Sequence, residues 1–348
     1  MVFAPMMFTW ISAHHEGEWI REMMKTRRKE RNGLFFAGML ALTLVVSACD
    51  SAVDPVDPVA AGAAADGTKP IQAVTTIAQI ADPLAVIGGD RVNVESLMGP
   101  GVDPHLYKAT QGDINKLESS DIVFYNGLHL EGNLTKIFEQ IGKNKPVAAI
   151  GESIPEERLL RDETGQIDPH IWFDIDLWML ALNAAVEELK ALSPADAESF
   201  EANKQKYFAE LEALKRDAKE KIARIPPERR VLVTAHDAFG YFGRMYGMEV
   251  VGLQGLSTED EIGITDIQST IQRLVDGNIP AVFVESSINQ NAIQAVMEGA
   301  ASVGHEVKRG GELYSDAMGD AGTPEGTYLG MYRHNVETIY QALHGSHR

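Results

Sequence analysis

The chain has 348 residues, 45% of them hydrophobic and 23% charged, enough for two domains with cores of their own. The formal charge is −19, and residues 49–348 carry 25 basic against 46 acidic side chains, which argues against a nucleic-acid partner, whose phosphates need a basic face. A single cysteine, Cys49, excludes an internal disulfide framework.

Residues 1–23 read as neither domain nor signal, and His14, His15 and Glu16 there are taken as an incidental extension. From Met24 the pattern is that of a leader: Lys25, Arg27, Arg28, Lys29 and Arg31, then an apolar run from Leu34 to Ala48. That run fits the ~7–15 residues of a signal h-region and falls short of the ~20 that span a bilayer as a helix. Its end, Val46-Ser47-Ala48-Cys49, resembles a lipobox, so Cys49 is the expected lipidation site and the protein is expected to be anchored outside the inner membrane. Residues 1–48 are therefore read as extension and signal peptide. Residues 49–69, rich in Ala, Asp, Pro and Gly without apolar periodicity, are read as a flexible tether.

From Ile71 strand-like and helix-like runs alternate, which predicts an α/β fold with parallel sheet. In the first half the expected strands are Ile71–Ile80, Arg91–Met98, Asp121–Asn126 and Lys145–Ile150. The expected helices are Pro83–Ile87, Thr110–Ser119, Glu131–Ile141 and Asp176–Leu192. Ser193-Pro194-Ala195-Asp196 reads as a helix start, with a capping Ser and Pro at the first position. The helix it opens shows Phe200, Tyr207, Leu211, Leu214, Ala218 and Ile222 on one face and stops at Pro226-Pro227. About 45 Å of such a helix would run the height of two stacked lobes. The second half repeats the alternation: strands Val231–Ala235, Glu249–Leu253, Ala281–Glu285 and Glu306–Leu313, and helices Asp237–Tyr246, Ile262–Asp276, Asn289–Val303 and Pro324–Leu343.

One tripeptide occurs twice, as Asp103-Pro104-His105 and Asp168-Pro169-His170. Proline fixes its own φ and biases the residue before it toward extended backbone, so each imidazole is mounted on a stiff turn. The preceding Asp is a candidate acceptor for the ring N–H, although two residues is a short reach. Ligands of open α/β sheets sit beyond the carboxyl ends of strands. His236 ends the Val231–Ala235 run and Asp316 follows Glu312–Ser315. Three imidazoles and a carboxylate form a good donor set for Zn²⁺ at about 2.0–2.2 Å per bond, and a weaker one for Mn²⁺. Glu285 also ends a strand; it is a partner behind a ligand, an occasional ligand, or a carboxylate bonded to backbone. His129, His305, His334, His344 and His347 are set aside.

The stretches Gly101–Tyr107, Asp168–Asp174, Thr234–Phe242, Gly255–Glu259, Phe283–Ser287 and Gly310–Gly319 resemble the zinc/manganese-binding receptors of ABC importers. The resemblance implies two α/β lobes, each a mostly parallel sheet flanked by helices, joined by one long rigid helix. The lobes are placed at residues 70–192 and 226–348 and the helix at 193–225. It implies one metal ion as cargo between the lobes, ligated by His105, His170, His236 and Asp316. It further implies a permease of the inner membrane with a cytoplasmic ATPase as partners, a monomer, and no bond chemistry. Manganese members often have Glu where this chain has His236. Many zinc members have a His-rich loop where residues 139–167 contain no His. The expected function is therefore capture of Zn²⁺ and/or Mn²⁺ for import. The competing readings are a metal-dependent hydrolase, against which stands the absence of a His-Glu-x-x-His helix, and a surface adhesin.

Overall fold

The structure is a computed structural model and describes residues 69–345. The leader, Cys49 and the tether up to residue 68 lie outside the described residues, as does His347.

The first half builds one parallel sheet. Strands β1 (Ile71–Thr75), β2 (Val92–Ser96), β3 (Ile122–Tyr125) and β4 (Val147–Ala149) pair in the order β2-β1-β3-β4. The central strands β1 and β3 are short, mostly apolar and largely buried, as the inner strands of a parallel sheet require, while the edge strand β2 exposes Asn93 and Glu95. The helices between them are α1 (Ala78–Gly88), α2 (Gln111–Ser119) and α3 (Thr135–Ile141), and α4 (Ile175–Leu192) follows β4. Thr110 caps α2 in a reciprocal box with Asp113, and the Asp174 carboxylate accepts from the first amides of α4.

The second half holds β5 (Val231–His236), α6 (Gly240–Tyr246), β6 (Glu249–Gln254), α7 (Ile264–Asp276), β7 (Ala281–Glu285), α8 (Asn291–Ser302), β8 (Lys308–Leu313) and α9 (Tyr328–His344). Its strands form two parallel pairs, β5-β6 and β7-β8, with β5 beside β7. Between the halves runs α5 (Ala197–Ile222), a 26-residue helix preceded by a 3-10 turn at Pro194–Asp196. At ~1.5 Å per residue it spans about 39 Å. All six apolar residues picked out on one face of it are buried.

The alternation of side chains along a strand divides the core in two. Leu232, Ala281 and Phe283 face a core shared with the first lobe, α5 and α9. Val231, Val233, Val282 and Val284 face a separate core under α7 and α8 with Leu274, Ile293 and Val296. The molecule is thus welded along one face of the second lobe, while the opposite layer has its own packing.

Three local expectations change. The first strand stops at Thr75, and α1 starts at Ala78 instead of at Pro83, which it accommodates in its interior. Ile80, Leu84 and Ile87 bury at helical spacing and outweigh the proline. Helix α6 starts at Gly240, because the Asp237 amide continues the strand by donating to the Gln254 carbonyl at 3.1 Å. A Cβ at Gly252 would lie 2.5 Å from the Asp237 nitrogen, so that approach demands glycine. Ser193 caps no amide; its hydroxyl meets the Asp196 carboxylate at 2.6 Å.

Candidate metal centre

Four segments converge at the carboxyl ends of the strands. His105 and His170 come from the two Asp-Pro turns of the first lobe, His236 is the last residue of β5, and Asp316 lies just past β8. All four are buried: His105 is 4% exposed, His170 and His236 0% and Asp316 1%. One ligand atom from each lies within 4.8 Å of every other. The ring centroids are 5.5 Å apart for His105 and His170, 6.1 Å for His105 and His236, and 5.2 Å for His170 and His236.

The facing atoms are the informative ones. The Nε2 atoms of His105, His170 and His236 and both carboxylate oxygens of Asp316 are buried without a hydrogen-bond partner. Five such atoms in one place would be costly if they served only the fold. The imidazole nitrogens stand 3.7 Å (His105), 3.3 Å (His170) and 3.2 Å (His236) from the nearer Asp316 oxygen. A tetrahedron with bonds of about 2.1 Å has edges of about 3.4 Å. The donor set therefore fits a divalent ion, and because both Asp316 oxygens face the rings, an ion there can take one oxygen or both.

Carboxylates stand behind two of the rings. Asp168 Oδ1 lies 2.8 Å from His170 Nδ1 and also accepts the His170 amide N–H at 2.9 Å. The short reach left open above is therefore sufficient at this turn. Glu285 Oε1 accepts the His236 amide N–H at 2.9 Å, and its Oε2 lies 2.6 Å from His236 Nδ1 without hydrogen-bond alignment. Glu285 thus makes the backbone bond and backs the ring as well. Such partners orient an imidazole and raise its basicity.

The electrostatics follow. Burial disfavours charge on His170, but the Asp168 and Asp316 carboxylates outweigh it and raise its pKa to about 9. The same contest at His236, with Glu285 and Asp316, ends well above the usual value. For Asp316 burial works against ionisation, yet His236 and His170 hold it well below the usual carboxylate range. For His105 burial wins, Asp316 pulls the other way without prevailing, and the neighbouring imidazoles add to burial, leaving it at about 3.

Residues that the sequence reading passed over hold these turns. The Ser315 carbonyl, next to Asp316, accepts from Trp172 Nε1 at 3.1 Å and from Gln79 Nε2 at 3.2 Å, both first-lobe side chains. Asn126 Nδ2 donates to the Pro169 carbonyl at 3.0 Å, and the Tyr241 hydroxyl donates to the Asp168 carbonyl at 3.0 Å. Asn126 opens a left-handed turn with Gly127 (φ 77°), Leu128 (54°) and His129 (69°), held by the buried Glu131. An Asn-Gly pair closing a strand is the one local signal for it. The histidines set aside lie elsewhere: His129 is exposed, His305 Nε2 contacts the Ile279 carbonyl at 2.9 Å, and His334 Nε2 the Glu312 carbonyl at 2.9 Å. His344 ends α9 and stacks on Tyr340.

Residues 73–342 match the family model described as zinc-uptake complex component A, periplasmic. The chain is 48% identical over 314 residues to the manganese-binding lipoprotein MntA of Bacillus subtilis (strain 168), covering 90% of this chain and 99% of that one. It is 47% identical over 281 residues to the zinc-binding protein TroA of Treponema pallidum (strain Nichols), covering 81% and 91%. The solved structure of that periplasmic TroA superposes with a TM-score of 0.78 at 46% identity, over 79% of this chain and 99% of the other. The fold is thus the two-lobed one expected, and the chain belongs to the family of the periplasmic component A of zinc-uptake complexes.

Proposed function

We propose that the protein is the extracytoplasmic substrate-binding component of an ABC importer, which captures one divalent transition-metal ion, Zn²⁺ or Mn²⁺, between its lobes and delivers it to a membrane permease driven by a cytoplasmic ATPase. His105 and His170 from the 70–192 lobe and His236 and Asp316 from the 226–348 lobe are its ligands. Asp168 and Glu285 orient His170 and His236 from behind. Helix α5, within 193–225, joins the lobes. The protein acts as a monomer, tethered through residues 49–69 to a lipid on Cys49. Among the described residues no helix is long and apolar enough to cross a membrane.

The observation that carries this reading is the set of five unpartnered buried atoms on four side chains, with the three imidazole nitrogens 3.2–3.7 Å from Asp316 oxygens. Relatives described as binding manganese in one case and zinc in the other support it. Capture exchanges the hydration shell of the ion for three imidazoles and a carboxylate, and release requires the first-lobe and second-lobe ligands to part. A hydrolase would keep an open position for water beside three protein ligands; here a fourth donor, Asp316, fills it. The metal affinity order puts Zn²⁺ above Mn²⁺ at such a site.

Titration of metal-free protein (residues 50–348) with each ion tests the proposal. One saturable equivalent is expected, tighter for Zn²⁺. No saturable binding of either ion would overturn it.

A further inference from the structure

Gln254 closes β6 and is the register partner of His236. From it the chain runs through residues 255–263 before α7 begins. The Gln254 side-chain Nε2 donates to the Thr258 carbonyl at 2.8 Å and also to the Asp260 carbonyl, so the loop is folded back onto the strand paired with a proposed ligand. The other side of the loop reaches the first lobe. The Thr258 hydroxyl donates to Asp103 Oδ2 at 2.6 Å, and Asn133 Nδ2 donates to Glu259 Oε1 at 3.1 Å.

Both first-lobe partners hold His105 at the same time. Asp103 Oδ1 accepts the His105 amide N–H at 2.9 Å, and Asn133 Nδ2 donates to the His105 carbonyl at 2.8 Å. Each of the loop's two contacts with the first lobe therefore shares a residue with a contact to the His105 backbone. A single loop links the strand beside His236 to the turn of His105. The two bonds are accessible to water: Thr258 is half-buried and Glu259 exposed. They are suited to opening without disturbing either core.

We propose that Thr258 and Glu259 are positioning residues of a release latch, which clasps the His105 turn to the second lobe and sets the rate at which the bound ion leaves. This rests on the metal reading above. A hydroxyl donating to a carboxylate is among the stronger hydrogen bonds, whereas the Glu259 contact lies in solvent and is worth less. Since His105 is the first-lobe ligand that the loop reaches, through Asp103 and Asn133, loosening the latch lets that ligand depart first and lowers the barrier to release. Encounter with the ion in water is altered little.

The test is a chelator chase: Zn²⁺-loaded protein is mixed with excess chromogenic chelator and the release rate read by stopped flow. Thr258→Val is expected to release Zn²⁺ roughly tenfold faster than the parent, and Glu259→Ala about threefold faster. Thr258→Ser, which restores the hydroxyl, is expected to return to the parent rate, a rescue that a packing role would not give. Release from Thr258→Val at the parent rate, or Thr258→Ser as fast as Thr258→Val, overturns the latch and leaves the metal reading standing. Failure of the parent to load Zn²⁺ overturns both.

Discussion

The two Asp-Pro-His turns begin from one tripeptide and end in different electrostatic states. In both, the Asp carboxylate accepts the amide N–H of the His two residues on, at 2.9 Å, the local bond that makes Asp a turn former. They diverge at the ring. Asp168 also meets His170 Nδ1, and it is 2% exposed. Its other oxygen lies where a Cβ on Gly240 would come within 2.8 Å, so the second lobe closes over it only because that residue is glycine. Among the described residues no ion pair joins Asp103 to the His105 ring; its second oxygen turns to Thr258 instead. Burial therefore prevails at His105 and holds it at about 3, while at His170 Asp168 together with Asp316 overcomes burial and raises it to about 9. The tripeptide encodes a turn, and what packs against it decides whether the imidazole waits charged or neutral.

Removing the rings tests this contrast most severely. A four-ligand zinc site is worth about 10–16 kcal/mol in all, so loss of one ligand is expected to cost on the order of a thousandfold in Zn²⁺ affinity. His170→Ala should lose more than His105→Ala, because it also strands the buried Asp168 carboxylate. Competition against a chromogenic chelator measures both. A larger loss from His105→Ala would mean that the two turns are ranked wrongly.

Next in size are the carboxylates behind the rings. Asp168→Asn is expected to weaken Zn²⁺ binding by about 10–100-fold, the usual cost of disturbing a group that orients a metal-bound His. Asp103→Asn, which keeps the amide contact and does not touch the ring, is expected to cost about threefold at equilibrium. If the two substitutions cost the same, the ring contact at Asp168 does nothing that the turn does not.

What could be read from the sequence follows the range of the interactions. β7 is legible because Val282, Phe283 and Val284 are apolar on both faces. The four donors were picked out because strand ends and Asp-Pro turns are local features. The helical part of α1 before Pro83 was lost because a proline dominates a local reading, whereas burial of Ile80 is a property of the whole packed core. The grips on Ser315 were invisible for a stronger reason: Trp172 and Gln79 lie 143 and 236 residues away from it. Glu285 remained open among three roles because a strand-end carboxylate looks the same in each; only the approach of β7 to β5 puts both its oxygens on His236.

The pH dependence separates the two turns again. Three ordinary imidazoles would lose metal affinity as pH falls through about 6.5. In the folded protein His170 and His236 have raised pKa values and, as proposed ligands, would have to lose their protons for an ion to bind, while His105 is neutral above about pH 3. Affinity should therefore keep rising with pH through neutrality toward about 9. At pH 7, loading should release about two protons. In the metal-free protein the sign is opposite. The charge on His170 stabilises the fold fully below the unfolded value of 6.5, and that contribution is lost as pH rises through about 9. Calorimetric titrations in buffers of different ionisation enthalpy count the protons; a count of zero would break the assignment of charge to His170.

The smallest effect concerns the loop that supports only the second turn. His129 sits at φ 69°, after Gly127 and Leu128 in the same left-handed region, with its ring exposed to solvent. A non-glycine residue there carries about 1–2 kcal/mol of backbone strain, and replacing it with glycine costs about 0.5–1 kcal/mol in chain entropy. His129→Gly is therefore expected to stabilise the fold by roughly 0.5 kcal/mol, read as a small rise in the urea midpoint, and to leave Zn²⁺ affinity within about twofold of the parent. The loop acts on His170 through the backbone of Asn126–Glu131 and the Asn126 side chain, not through this imidazole. A tenfold loss of affinity in His129→Gly would show instead that the ring contributes to the site, and the second turn would then differ from the first by a ligand as well as by its carboxylate.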